Sequence, residues 1–376
     1  MISAQNPENE NDDFLSKIPN YTYIKEKNLS SNPLYTRRLI DCLSSLSGIK
    51  SREEISINCY NILADKFFFR RVYGSLPEHS SFLYRAQNIL SELEFYQTDF
   101  LCLQEVDNYE NFYKEKMEKL GYTTLFKEKA RKGRYFFFSG VGSVLAYKSE
   151  KYELIEHMEL IYDNFCSDLD NTGIEGIIGL FKSKKSGKNF LVATTHTHWS
   201  SDHDFIQFGQ LACLMTKIKE ILGRRKQMDI PIFVSGDFNV HRYSNVLRYM
   251  RQLPPILQEY SRSFYRLCKQ PIEKVKSIWE RFPNEFKMRS AYQFYERYKE
   301  KNFEVSLDGD DSTFDYYPEY THYHKYHKGV IDFIFYNEKA VLKSIREMPS
   351  RSDLGLLTPN KEYSSDHLRI EAAFLI

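Results

Sequence analysis

Six apolar runs of this chain are bordered by side chains suited to acid–base or metal chemistry: Asn61, Gln104-Glu105, His196, Asp237 with Asn239, Asp332, and Asp366-His367. The most compact example is Pro231 to Asn239, where Ile232, Phe233 and Val234 run into Ser235-Gly236 before a carboxylate and an amide two positions apart. Such a run reads as a buried strand, ended by Ser-Gly. If the chain stays extended past Gly236, Asp237 and Asn239 share a face. A carboxylate beside an amide at the mouth of a buried strand can hold water, a metal or a phosphate oxygen. Taken alone, a strand-ending Asx turn explains the stretch equally well.

Strands must end in something polar, so any single end is unremarkable. Six ends gathered at one edge of a sheet sandwich would make a cluster of carboxylates, amides and imidazoles. That set suits a hard divalent cation with oxygen ligands and retained water, such as Mg²⁺. Zinc fits less well, because no Cys is placed to join the histidines. In metal-assisted hydrolysis a Glu anchors the cation and an Asp orients or deprotonates water. Asn amides and a His then donate hydrogen bonds to the developing charge. A carboxylate at Asp332 would keep His367 protonated.

The elements that must position these groups are legible from periodicity. Residues 1 to about 32 are polar and read as a disordered arm. Leu39, Ile40, Leu43 and Leu46 recur at helical spacing and predict a short helix before the core. Ile55–Leu63 alternates like a strand, and a helix follows through Leu83, Ala86, Ile89, Leu90 and Leu93. Asp99–Val106, Val141–Tyr147, Phe190–His196 and Val330–Tyr336 read as strands; Phe112–Leu120 and Ile206–Leu222 read as helices. Residues 244 to about 300 are helix-like, and residues 302–318 are acidic and turn-rich. This mixture suggests an α/β or α+β sandwich. The expected division is an arm with its short helix over 1–50 and one catalytic domain over 51–376.

Composition excludes several classes. Of the 376 residues 42% are hydrophobic and 27% charged, an ordinary balance for a globular domain. The net charge of +1 gives no bulk grip on nucleic acid, so any such contact must be local. No apolar run is long enough to span a bilayer, so no membrane role is expected. The six cysteines form no Cys-x-x-Cys pair and read as small core residues in a reducing compartment. No secretory leader is visible, and the cytoplasm, the nucleus or both follow as the expected location.

Six motifs in order, Tyr60-Asn61-Ile62-Leu63, Leu103-Gln104-Glu105-Val106, Thr195-His196-Thr197-His198-Trp199, Gly236-Asp237-Phe238-Asn239, Ile331-Asp332-Phe333-Ile334-Phe335-Tyr336 and Ser365-Asp366-His367-Leu368, resemble the endonuclease/exonuclease/phosphatase superfamily. The resemblance covers residues 55 to 376 and is strongest to the deadenylase, nocturnin, Angel and Ngl branch. It implies a DNase I-like four-layer sandwich, with two mixed β-sheets flanked by helices. It also implies Mg²⁺-dependent phosphodiester hydrolysis, with Mn²⁺ able to take the metal's place. By motif match Glu105 would be the principal metal ligand, with Asn61 close by and Asp366 a further ligand. Asp237 and Asn239 would handle the water and the scissile phosphate, His196 would contact the phosphate, and Asp332 would pair with His367.

Lys66–Arg71 and Tyr84-Arg85 look most like the Ngl-type RNA exonucleases. The implied activity is 3′–5′ trimming of a single-stranded RNA 3′ end, ribosomal or messenger, releasing 5′-mononucleotides. Poly(A) deadenylases of the branch hold adenine between a Pro and a Phe at positions occupied here by Ser201 and His327. The leucine-rich repeats by which such enzymes join larger complexes are absent, and protein partners are not legible. The alternatives are a nocturnin-like phosphatase acting on a nucleotide 2′-phosphate such as that of NADPH, a plain poly(A) deadenylase, and a binding relative without turnover.

Two other clusters bear on substrate. Lys127, Lys129, Arg131, Lys132 and Arg134 precede Tyr135–Phe138 and could grip and stack a single strand. A solvated loop leading into a buried aromatic strand explains them too. His198, Ser201 and His327, with Lys129 and Arg131, are the expected substrate contacts. His322, His324 and His327 sit just before the Asp332 strand and are expected on the substrate rim or a wet loop, rather than on zinc.

Overall fold

The computed structural model describes residues 32–43, 52–68, 79–130, 140–162, 174–199, 204–257, 260–262, 267–269, 271–300 and 316–376. The proposed arm over 1–31, the basic and aromatic stretch from Arg131 to Phe138, Ser201 and the acidic stretch over 302–315 lie outside them.

Two sheets face each other. The larger has seven strands: β1 (Leu39–Asp41), β2 (Glu54–Asn61), β3 (Phe100–Val106), β4 (Tyr122–Glu128), β5 (Gly142–Lys148), β16 (Val341–Arg346) and β17 (Ile370–Leu375), in spatial order 1-16-17-2-3-5-4. The smaller has six: β6 (Tyr152–Ile161), β7 (Glu175–Ser183), β8 (Asn189–His196), β9 (Ile232–Asp237), β12 (Met288–Ser290) and β15 (Asp332–Asn337), in order 12-15-9-8-7-6. Two short hairpins, β10–β11 (Tyr260–Arg262 with Leu267–Lys269) and β13–β14 (His322–Tyr323 with Lys328–Gly329), complete the strands.

Each sheet contains one parallel pair. β2 runs parallel to β3 with Asn61 opposite Gln104, and β8 runs parallel to β9 with His196 opposite Asp237. Parallel strands buried on both faces read as continuous apolar runs, as Phe100–Leu103 and Ile232–Val234 do. Aromatic side chains fill the gap between sheets: Phe233 of β9 meets Phe374 of β17 at 4.8 Å, and Phe100 of β3 meets Phe181 of β7 at 5.0 Å. All four are buried, and each such burial stabilises the sandwich by roughly 2 kcal/mol.

Helix α1 (Phe82–Tyr96) covers the outer face of the larger sheet through Ala86, Ile89 and Leu93, which pack on Ile62, Leu101 and Leu103. Ser81 caps it by accepting the Tyr84 N–H, and Gln97 ends it in a left-handed conformation. α2 (Lys114–Lys119) follows β3, and α3 (Asp204–Arg225) lies between β8 and β9. α4 (Asn245–Met250) and α5 (Ile272–Arg281) follow β9.

The expected helix around Leu39–Leu46 is not what the described residues form. Leu39–Asp41 is an edge strand, paired with Ser344–Arg346 of β16. The helical spacing covered only about two turns, and pairing with an open sheet edge satisfies these backbone groups better than a marginal helix. β4, β6 and β16 carry polar or charged residues that blur their alternation, and two glycines interrupt the apolar run of β7, which is why periodicity did not predict them. The region after β9 holds the β10–β11 hairpin as well as helices.

Candidate active site

The two parallel pairs deliver their C-terminal ends to one place. Asn61, at the end of β2, donates from Nδ2 to Asp237 Oδ2 at 3.0 Å, across the gap between the sheets. Asn61 Oδ1 accepts the Leu63 N–H at 3.0 Å, so the amide is oriented from both ends. The same Asp237 oxygen lies 3.6 Å from His196 Nε2 and 3.6 Å from His367 Nε2, a distance of electrostatic contact rather than hydrogen bonding. Asp237 and Asp332 are opposite one another on antiparallel β9 and β15. All four of these side chains that can ionise (His196, Asp237, Asp332, His367) are buried.

The pair Asp332–His367 is tightly built. His367 Nδ1 stands 3.0 Å from Asp332 Oδ2, and Thr321 Oγ1 donates to the same carboxylate oxygen at 2.7 Å. Thr321 Oγ1 in turn accepts the Ile331 and Asp332 N–H groups at 3.1 Å each. Burial works against a charged His367, but Asp332 and then Asp237 overcome it and raise the imidazole to about 10. Burial also pushes the Asp237 carboxyl up, to about 7, against the pull of His367.

His196 is held in the opposite state. Burial first, then the neighbouring Lys129 and His367, depress it well below the usual imidazole value. Lys129 Nζ stands 3.4 Å from His196 Nδ1. An ammonium can only donate, so Nδ1 accepts and the ring proton sits on Nε2, the nitrogen facing Asp237.

Glu105 occupies a bulge. Between Leu103 and Val106, β3 uses one residue more than β5 does, and Glu105 takes φ +56. A left-handed non-glycine costs about 1 kcal/mol and turns the side chain out of the strand alternation. Glu105 is half-buried, and its Oε2 accepts the Ala64 N–H at 3.2 Å. Burial raises its carboxyl, with Asp366 pushing the same way and Lys129 opposing.

Asn239 departs from the expected shared face with Asp237. The strand stops at Asp237, Phe238 N–H bonds Ile331 O, and Asn239 turns to φ +49. Its own N–H returns to Asp237 Oδ1 at 3.0 Å, an Asx turn, while Nδ2 donates to Thr197 O at 3.2 Å. The turn and the site are therefore the same feature. Helix α3 supports this loop from below: buried Gln207 donates from Nε2 to Asn239 O and to His198 O, and Gln210 accepts the His198 N–H.

The histidine loop enters the site instead of lying wet at its rim. His322 is buried, with Nε2 3.2 Å from Asp366 Oδ2 and Nδ1 2.6 Å from His327 Nδ1. His322 rings stack on His327 at 4.8 Å and meet His367 at 4.5 Å. His322 is a site residue that the sequence reading set on the rim. Thr321, Gln207 and Gln210 were not singled out at all. Nothing in a lone Thr or Gln within an apolar stretch signals such a role.

The donor set fits a divalent cation. Two groups have ligand atoms within 4.8 Å of one another, Asp237–Asp332–His367 and His322–Asp366–His367; His367 belongs to both, and its protonated ring has no lone pair for a metal, so their carboxylates are the donors. Glu105 and Asn61 add oxygens on the β2–β3 side. Carboxylate and amide oxygens favour a hard ion. Ionising Glu105 near Asp366 in a buried site is costly, and a bound cation offsets that repulsion. The structure thus brings together Asn61, Glu105, His196, Asp237, Asn239, Asp332, Asp366, His367 and Lys129. His198 is buried beside exposed Trp199, with the two rings stacked at 5.8 Å.

The chain is 27% identical to a probable CCR4-Not complex 3′-5′-exoribonuclease subunit Ccr4 of Vairimorpha ceranae, over 94% of its own length and 70% of the relative's. Against the Ccr4 subunit of Schizosaccharomyces pombe the identity is 24%, and the chain spans 49% of that relative. It is 28% identical to protein angel homolog 2 of Danio rerio over 53% of its length. In three dimensions it superposes on ANGEL2, a 2′,3′-cyclic phosphatase, with a TM-score of 0.71 at 22% identity, covering 90% of this chain and 98% of that one. The human Nocturnin catalytic domain superposes with a TM-score of 0.61. These two likenesses establish the shared fold. A family model for the endonuclease/exonuclease/phosphatase family matches residues 55–367, from the β2 strand to the His367 imidazole, and to that family the chain belongs.

Proposed function

We propose that this hydrolase is an Mg²⁺-dependent 3′–5′ exonuclease that releases 5′-mononucleotides from single-stranded RNA. The observation that carries the reading is the single Asp237 oxygen met by Asn61 and His196 from two strand ends and by His367 from the segment before β17. Relatives aligned along most of the chain are named as 3′-5′-exoribonucleases, which favours RNA over other phosphoesters.

In this reading Asp237 takes the proton of the attacking water, and its raised proton affinity suits a general base. His196 donates from Nε2 to a non-bridging phosphate oxygen, in the tautomer that Lys129 enforces. Asn239 has one amide hydrogen on Thr197 and a second for the phosphate. Protonated His367, held by Asp332, stabilises charge that builds at phosphorus. The P–O3′ bond breaks and the phosphate leaves on the 5′ oxygen of the departing nucleotide. Glu105, Asn61 and Asp366 would hold the cation, which when bound polarises the phosphoryl group.

The test is a 5′-labelled RNA with a free 3′ end, incubated with the protein and Mg²⁺ alongside NADPH. A descending ladder, abolished by EDTA and by Asp237→Ala, is expected. Intact RNA together with phosphate released from NADPH would overturn the reading.

A further inference from the structure

We propose that Tyr243 and Tyr326 are two base-stacking posts, on the segments that leave Asp237 and lead to Asp332, that hold unpaired bases of a single-stranded RNA. The inference rests on the RNA reading above and extends it to where the strand is gripped.

The two tyrosines close matching tripeptides, His241-Arg242-Tyr243 and His324-Lys325-Tyr326. Both tripeptides carry the same side-chain-to-backbone hydrogen bond. The Tyr243 N–H donates to His241 Nδ1 at 3.3 Å, and the Tyr326 N–H donates to His324 Nδ1 at 2.8 Å. Accepting at Nδ1 leaves the ring proton on Nε2, so each imidazole serves as a neutral hook that fixes the following tyrosine. Each tyrosine ring also meets its own histidine, at 5.0 Å for Tyr243 and 5.8 Å for Tyr326.

The hooks are equally spaced along the chain from the two paired aspartates. Asp237 and Asp332 are register partners, so the chain leaves β9 and enters β15 at one sheet edge. Tyr243 lies six residues after Asp237, and Tyr326 lies six residues before Asp332. Six residues reach at most about 20 Å, so each tyrosine backbone lies within about that distance of the paired aspartates.

Both rings are open to solvent, 58% for Tyr243 and 56% for Tyr326. Four aromatic side chains among the described residues are strongly exposed, and only Phe95, on α1, is remote from the catalytic strand ends. Each tyrosine is preceded by a cation, and Lys325 Nζ lies 5.3 Å above the Tyr326 ring. A rigid exposed ring beside a cation matches a nucleotide, whose base stacks while its phosphate meets the charge. The overall charge is close to neutral, so local grips of this kind are what an RNA would find.

The experiment compares Tyr243→Ala, Tyr326→Ala, the double variant and the Tyr→Phe versions on a single-stranded RNA, a small base-free phosphodiester and NADPH. The expected result is a rise in KM for RNA of about tenfold per ring removed. The Phe versions should behave as wild type, and turnover of the base-free substrate should not change. Wild type should also lose affinity for RNA carrying abasic nucleotides near its 3′ end, and the double variant should not. Normal RNA hydrolysis by the double variant would overturn the inference while leaving the exonuclease reading intact. A raised KM confined to NADPH would overturn it in favour of a dinucleotide site. Failure of wild type to cut any RNA would remove both.

Discussion

Lys129 Nζ stands 3.4 Å from His196 Nδ1, and this one contact decides which nitrogen of the imidazole carries its proton. Without the ammonium either tautomer is open to a neutral ring, and half of them would present an acceptor to the phosphate. Lys129→Met should lower kcat by about twofold, in step with the share of rings that present an acceptor in place of the donor. Nitrogen-15 spectra of the His196 ring should change from a single Nε2–H form to a mixture. A pure Nε2–H ring in the variant would show that something other than Lys129 sets the tautomer.

The Asp332–His367 pair makes a pH prediction. Asp332 and Asp237 together lift His367 to about 10 despite its burial. A raised imidazole binds its proton more tightly in the folded state, so its stabilisation is complete below the ordinary value near 6.5. It is lost as pH rises through about 10. Asp332→Asn removes the larger attraction, so the alkaline limb of the pH–rate profile should move down toward neutrality. A limb that stays in place would sink the assignment of His367 as the protonated partner.

Glu175 heads β7 fully buried, with Oε1 accepting from Ser143 Oγ at 2.9 Å and Oε2 without a hydrogen bond. Burial raises its carboxyl from 4.5 to about 7, against the pull of Lys129. The folded state therefore holds this proton more tightly, and stability falls as pH rises from about 4.5 through 7. The loss is on the order of 3 kcal/mol for a shift of this size. Glu175→Gln should abolish that slope and be the more stable protein at pH 8, measured by urea unfolding at pH 5 and pH 8. Parallel slopes for both proteins would count against a buried, ionising Glu175.

Gly236 is a packing prediction. A Cβ at this position would lie 1.9 Å from the Thr195 carbonyl oxygen, which is backbone of the adjacent β8 and cannot turn aside. Gly236→Ala should cost at least about 3 kcal/mol, or prevent folding, by forcing the parallel β8–β9 pair apart next to Asp237. An unfolding midpoint equal to wild type would contradict this.

Much of the site was legible before any coordinates. Asn61, Glu105, His196, Asp237, Asp332 and His367 each stand where an apolar run meets a polar group, and such junctions recur at sheet edges. Asn239 was legible in identity and wrong in geometry, because a two-residue repeat cannot show that the chain turns left-handed one step after the strand. Leu39–Asp41 was misread as helix because the partner strand β16 lies some three hundred residues downstream, beyond the reach of any local pattern. His322 was assigned to the rim because a histidine-rich segment has the same composition whether it is solvated or folded under β15.

The order of the apolar runs and the chemistry of the residues that border them are local properties. They determined the class of fold, the oxygen-rich donor set and the hydrolytic reading. What they cannot encode is which two ends meet. That Asn61 reaches Asp237 across the gap, that Lys129 finds His196, and that Thr321 steadies Asp332 all depend on two sheets packing face to face through Phe100, Phe181, Phe233 and Phe374. Protonation states follow from the same closure. Burial disfavours the charged form of both His196 and His367; Lys129 adds to it at His196, whereas at His367 the carboxylates of Asp332 and then Asp237 overcome it.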